Sequence, residues 1–317
     1  MPDLGPAVDT VINRCLAVKP GENVLVVSDP GTRRIGEALR DSARDAGADA
    51  VLAIMEEREV DGTEPPPTVA GALAACDVFI APTTRSISHT VARKRANEAG
   101  ARGATMPGVT EDMLARMMAG NFDEMATRSQ QVAALLTEAT EAHVTCPRGT
   151  DFTLDLTGRE GISDDGILTE RGIFGNLPCG EGFIAPLSGD GRIVVAGTLA
   201  SAGIGDEPAT LMVRAGQLTG AEGGRGPRFI ELLRAHGEKG TNLAELGVGT
   251  NERALLTGQM LEDEKILGTV HVAFGASAGI GGTVTVPIHL DAAVLDATLD
   301  VDGRRVLDAG RYVLEPS

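Results

Sequence analysis

Asn23-Val-Leu-Val-Val-Ser28, the run Thr32 to Ala46 with Ile35, Leu39 and Ala43 at helical spacing, then Gly47 and Ala48-Asp-Ala-Val-Leu-Ala-Ile54 together decide the fold of the first half of the chain. The first and last segments are short, apolar and β-branched, which favours a strand buried on both faces. The middle segment places its apolar residues three to four positions apart, as an amphipathic helix does, and Gly47 stops it. The turn signal Lys19-Pro-Gly-Glu22 precedes the first strand.

The same rhythm continues downstream. A proline-rich loop (Glu64-Pro-Pro-Pro67) leads to a helix over Val69–Ala75 and a strand over Asp77–Ala81. A helix is expected over His89–Ala99, a strand over Gly103–Met106, and unbroken helix from Thr110 to Ala142. Strands separated by helices of this length predict an α/β, doubly wound (Rossmann-like) parallel sheet over residues 1–142. The loop Ser28-Asp-Pro-Gly-Thr-Arg-Arg-Ile-Gly36 has neither the glycine spacing of a dinucleotide site nor a P-loop lysine, so nothing here favours a nucleotide.

Beyond Ala142 the texture changes. Val144-Thr-Cys146, Asp151–Leu156, Arg192–Ala196, Thr210–Arg214 and Thr283–Val286 alternate or are rich in β-branched residues, and Gly/Asp turns separate them. One helix, Gly226–His236, interrupts them. Residues 143–317 are therefore expected to form a mostly antiparallel, β-rich (α+β) domain that carries the chemistry.

Composition narrows the function. The 317 residues hold 28 Lys+Arg against 45 Asp+Glu, a formal charge of −17, so nucleic acid and anionic membranes are disfavoured as partners. Seven Phe, one Tyr and no Trp leave little material for a base-stacking surface. No apolar run is long enough to span a membrane, and the N-terminus lacks a secretory signal. Cys15, Cys76, Cys146 and Cys179 form no CxxC pair and read as reduced thiols. A cytoplasmic setting follows as an expectation.

Candidate chemistry concentrates in the second half. In Ile288-His-Leu-Asp291, His289 and Asp291 stand two apart on an extended chain and share one side. They can chelate a divalent metal or simply hydrogen-bond at a strand end. Thr269-Val-His271-Val-Ala273 offers a second imidazole among apolar neighbours. Glu181 (in Asn176-Leu-Pro-Cys-Gly-Glu-Gly-Phe183) and Glu245 (in Leu243-Ala-Glu-Leu-Gly-Val-Gly249) sit in apolar, glycine-rich surroundings, where a carboxylate needs a partner. Such a mixed N/O set suits Zn²⁺, Co²⁺, Mn²⁺ or Fe²⁺. His89 and His143 stand alone and read as packing or surface residues. Cys179 has no cysteine-hydrolase flanks.

These segments, with Asp263-Glu-Lys-Ile-Leu-Gly-Thr-Val-His-Val-Ala-Phe-Gly275, resemble in order the signatures of the aminopeptidase T/aminopeptidase S metalloaminopeptidases over roughly Gly175 to Gly310. The resemblance implies two cocatalytic divalent metals (Zn, Co or Mn) held by Glu181, Glu245, His271, His289 and Asp291. Glu181 and His289 would be the catalytic pair. It further implies a hydrolase that uses metal-activated water to cleave an amide or N-terminal peptide bond of a short peptide or small molecule, and a homodimer. Three features depart from that family. Gly180 stands where a second acid is usual, no tyrosine comes shortly after the histidine strand (Tyr312, the only one, lies far downstream), and the stretch from His271 to His289 is short. The short stretch is similar to a second branch of the superfamily, the 2,5-dihydroxypyridine 5,6-dioxygenases. These open a small aromatic or heterocyclic ring with one non-haem Fe(II) and share the closing H-L-D, but carry a histidine where this chain has Glu245. The peptidase is the expected activity and the ring-cleaving dioxygenase the alternative.

Overall fold

The computed structural model describes residues 2–314, and its first 107 residues alternate strand and helix as the apolar periodicity requires. A short helix, Gly5–Asp9 (α1), runs into a π-helical turn, Thr10–Cys15. The strands β1 (Asn23–Ser28), β2 (Asp49–Ile54), β3 (Val78–Thr83) and β4 (Arg102–Pro107) are separated by α2 (Arg33–Asp45), α3 (Pro67–Leu73) and α4 (Val91–Glu98). Ile35, Leu39 and Ala43 are the buried face of α2, as their spacing predicts.

The helix expected over Thr110–Ala142 is broken in two, α5 (Glu111–Met117) and α6 (Phe122–Glu138). The Thr110 hydroxyl caps α5 by accepting from the Met113 N–H, and the Ala119-Gly-Asn121 segment interrupts the helical path. The remaining strands follow: β5 (Glu141–Thr145), β6 (Asp151–Asp155), β7 (Gly161–Asp164), β8 (Phe174–Asn176), β9 (Glu181–Ile184) and β10 (Ser188–Val195). Next come β11 (Ala209–Arg214), β12 (Gln217–Glu222), α7 (Gly226–Arg234), β13 (Leu243–Gly249), α8 (Met260–Asp263), β14 (Val270–Gly275) and β15 (His289–Val294). The chain closes with β16 (Thr298–Val301), β17 (Arg304–Asp308) and β18 (Arg311–Tyr312).

Two compact units result. The first comprises residues 1–122 and 166–179, with a parallel sheet of order β2-β1-β3-β4-β8. The order reverses beside β1, as in doubly wound sheets. The second comprises residues 123–165 and 180–317. It holds an antiparallel sheet of order β12-β11-β10-β6-β5-β16-β17-β18 and another of order β15-β14-β13-β9-β7. The division thus falls at 122/123 rather than at the 142/143 boundary read from the change in texture. Val132 and Leu136 of α6 belong to the apolar core of the second unit, whereas β8 pairs with β4 in the first.

Both sheets of the second unit feed one core. Phe152, Leu154, Ile193 and Leu211 meet Leu246, Val248, Val272, Phe274 and Val294 there. Because strand side chains alternate, burying Leu246/Val248, Val270/Val272/Phe274 and Leu290/Ala292/Val294 in that core sends Glu245/Gly247/Gly249, His271/Ala273 and His289/Asp291/Ala293 to the opposite face. Thr283–Val286, expected as a strand, forms no ladder. The Val284 carbonyl instead accepts from the Ser277 and Ala278 N–H groups, within the loop that joins β14 to β15. None of the described helices is long and apolar enough to cross a membrane.

Candidate metal centre

Register puts the charged residues side by side. Asp291 pairs across from Ala273 and His289 from Gly275, while β13 sets Glu245 against Ala273 and Gly247 against His271. On the other edge of β13, Gly249 faces Glu181. Every large polar side chain on this face therefore has an alanine or glycine beside it. Gly247 shows why: a Cβ there would stand 2.0 Å from His271 Nε2. The glycine-rich texture of Leu243–Gly249 is the floor on which the imidazole lies.

The structure brings all five sequence-nominated residues together. Glu245 stands in the middle, with Oε1 3.3 Å from His271 Nε2 and Oε2 3.3 Å from His289 Nε2. Glu181 Oε2 lies 3.0 Å from His271 Nε2, and Asp291 Oδ1 lies 3.6 Å from His289 Nε2. Two sets of donor atoms, Glu181/Glu245/His271 and Glu245/His289/Asp291, each fall within 4.8 Å of one another. His289 is the most exposed of the five at 23%. Its Nδ1 is 2.8 Å from the Ala276 carbonyl, a contact in which Nδ1 donates, so Nε2 is left to face the carboxylates.

Three participants escaped the sequence reading: Lys265, Asp164 and Glu264. Lys265, in the turn between α8 and β14, is fully buried. Its Nζ donates to Glu181 Oε1 at 2.5 Å and to Glu264 Oε1 at 2.6 Å, with Asp164 Oδ2 at 3.5 Å. Asp263, beside them in sequence, has a different task. It accepts from the Thr257 and Gly258 N–H groups and the Thr198 hydroxyl, which fixes the turn. The only available signal was the charged triple Asp263-Glu-Lys265 just ahead of the apolar histidine strand, a pattern that ordinarily marks a solvated turn.

Electrostatics follow from burial and pairing. Burial presses the Glu181 carboxyl upward, but Lys265 and His271 outweigh it and hold it below the ordinary range. His271 and His289 do the same for Glu245, and His289 and His271 for Asp291, again against burial. Burial works against the charged forms of Lys265, His271 and His289, yet the surrounding carboxylates hold all three well above their usual values. Asp164 and Glu264 are pushed up, chiefly by burial, to about 7 and about 8.

Gly180 and the missing tyrosine also acquire a physical reading. Gly180 has φ +129°, and a Cβ there would stand 2.7 Å from Asn251 Cβ, so the backbone at this point excludes the acid expected from the peptidase pattern. Tyr312 lies on β18, where its hydroxyl donates to Gln131, and it takes no part in the cluster.

The donor set fits a divalent ion. The carboxylates and imidazoles are hard to borderline ligands suited to Fe(II), Mn(II) or Zn(II). Glu245, His289 and Asp291 each offer a donor atom within 4.8 Å of the others, close enough to share one ion.

Comparison with known proteins places this geometry. The sequence profile of the 2,5-dihydroxypyridine 5,6-dioxygenase family (NicX) matches residues 3–314. No curated protein matches the sequence significantly. Among solved structures, the chain is similar to 2,5-dihydroxypyridine dioxygenase from Pseudomonas putida KT2440, at 20% identity and a TM-score of 0.82, over 98% of this chain and 97% of that one. It is also similar to AmpT from Thermus thermophilus, at 19% identity and a TM-score of 0.72, over 98% and 99%. Both likenesses show a shared fold. The peptide-hydrolase expectation is overturned, because the family model that matches the chain is the dioxygenase's.

Proposed function

Since the chain belongs to the 2,5-dihydroxypyridine 5,6-dioxygenase family, we propose that it is a non-haem Fe(II) dioxygenase that opens a small, hydroxylated aromatic or heterocyclic ring. The observation that carries this reading is the convergence of Glu245, His289 and Asp291 within 4.8 Å on a sheet face floored by alanine and glycine.

Those three residues would hold the iron, and His271 shares the other oxygen of Glu245. Bound Fe(II) supplies the one-electron chemistry that lets dioxygen react with a closed-shell ring. The chain's own residues arrange the rest. The Ala276 carbonyl takes the Nδ1 proton of His289 and so fixes which nitrogen faces the ligand position. Glu245 couples the two imidazoles, because each of its oxygens meets one of them. Ala273 and Ala293, the small residues paired across from Asp291 and His271, keep bulky side chains away from the carboxylates and imidazoles.

The test is oxygen consumption. Chain reconstituted anaerobically with Fe(II) should consume dioxygen when given a dihydroxypyridine. Zinc-loaded chain should not, and Glu245→Gln should lose at least ~10²-fold in rate, as removal of a catalytic-site group commonly does. Oxygen uptake by the zinc form, or none by the iron form with any hydroxylated ring, would contradict the proposal.

A further inference from the structure

Lys265 is the buried charge that the proposed chemistry leaves unused. Its ammonium is enclosed by carboxylates from three separate elements: Asp164 at the end of β7, Glu181 at the start of β9 and Glu264 in the turn after α8. Its side chain is 1% exposed, so these carboxylates, rather than water, compensate it. The same geometry can be read from the acids' side. Three buried carboxylates cannot stay together without a cation, and Lys265 is the cation this sequence supplies.

The cluster has two halves joined by Glu245, whose Oε1 faces His271 and whose Oε2 faces His289. In the Glu245/His289/Asp291 half, no lysine or arginine stands among the described ion-pair partners. In the Glu181/His271 half, the ammonium already sits 2.5 Å from Glu181. Lys265 meets Glu181 through Oε1, while Oε2 of the same carboxylate lies 3.0 Å from His271 Nε2. Glu181, Glu245 and His271 together could hold an ion, and Lys265 engages the first of them.

We propose that Lys265 claims Glu181 as its counter-ion and so withholds it from a second cation position. The chain then takes one divalent ion, at Glu245, His289 and Asp291, while Glu181 remains the counter-ion of Lys265 rather than a metal ligand. This rests on the metal-centre reading above. In this role Lys265 is a positioning residue: it sets the number of ions bound without touching the substrate. Replacing it by an uncharged side chain would free Glu181 to join Glu245 and His271, whose donor atoms lie within 4.8 Å of one another, in a mixed N/O site for a second ion.

The experiment counts ions directly. Full-length protein is stripped of metal and titrated with Mn(II), with stoichiometry read by calorimetry and elemental analysis. The paramagnetic resonance spectrum reports whether bound ions are isolated or adjacent. Wild type should bind one equivalent and give the hyperfine pattern of an isolated ion. Lys265→Met should bind two equivalents and show spin coupling between neighbouring ions, whereas Lys265→Arg should keep one. Two equivalents in wild type would overturn the proposal whether or not the variant folds. So would a Lys265→Met protein with a native circular dichroism spectrum that still binds one. Absence of any bound Mn(II) in wild type would instead overturn the metal-centre reading, and this inference with it.

Discussion

At the scale of single residues, the centre depends as much on what is missing as on what is present. His271 lies beside Gly247 because position 247 has no Cβ, and a methyl group there would meet the ring nitrogen at 2.0 Å. Gly247→Ala should therefore push the imidazole off Glu245 while leaving the surrounding strand intact. Disturbing the support of a metal site typically costs ~10–100-fold in affinity. We expect a loss of that size in Mn(II) affinity by calorimetry, with an unchanged far-ultraviolet spectrum, and unchanged affinity would show that His271 does not matter to the site. The residue scale is also where the sequence was least legible. Glu181, Glu245, His271, His289 and Asp291 drew attention because polar residues in apolar, glycine-rich runs need partners. Lys265 did not, because a lysine beside Asp263 and Glu264 reads as a surface turn. Its burial is imposed by Glu181 and Asp164, which lie far away along the chain.

At the scale of elements, alternation does most of the organising. Along β14, Val270, Val272 and Phe274 enter the apolar core and commit His271 to the other face. A one-residue slip would exchange the two sets, so the site's geometry is tied to the packing of the core behind it. β1 to β4 could be read directly from the sequence, since each is a short β-branched or apolar run bounded by turns. β13 could not: Leu243–Gly249 is buried at every position, with glycine or alanine at three of its seven residues, so it shows no alternation to detect. The break between α5 and α6 is hidden for a related reason, as the Met, Leu and Ala periodicity continues across Gly120 and Asn121.

One ion pair between elements gives a prediction about stability. The Arg102 guanidinium, at the start of β4, donates to Glu22 and to the Leu16 and Ala17 carbonyls, and so ties the N-terminal segment to the parallel sheet. That hydrogen-bonded guanidinium holds the Glu22 carboxyl below its usual range, despite partial burial. A carboxylate with a depressed folded-state pKa contributes stability that is fully present above its unfolded pKa of ~4.3 and disappears as pH falls through the folded value. Glu22→Gln should thus cost ~1–3 kcal/mol at pH 7 by denaturant titration, within the range for a charged hydrogen bond in a partly buried place. The difference from wild type should shrink steadily below pH 4. A gap that stays constant down to pH 2 would show that the Glu22 charge contributes nothing.

At the scale of the whole molecule, an enzyme of the dioxygenase family carries its ligand candidates on one face of an antiparallel sheet, with the second sheet packed against the other side. The parallel-sheet unit carries none of the five. The sequence motifs were legible because they encode that sheet face, strand by strand. They could not choose between the branches, since a carboxylate–imidazole cluster serves water activation and dioxygen chemistry alike. What separates the two is the origin of the oxygen atoms in the product. The most direct measurement is therefore mass spectrometry of the product formed from a dihydroxypyridine by Fe(II)-loaded chain under ¹⁸O₂ in unlabelled water. A ring-cleaving dioxygenase predicts that both atoms of one ¹⁸O₂ molecule enter the opened product. Product carrying oxygen from water alone, formed equally well without dioxygen, would contradict the account.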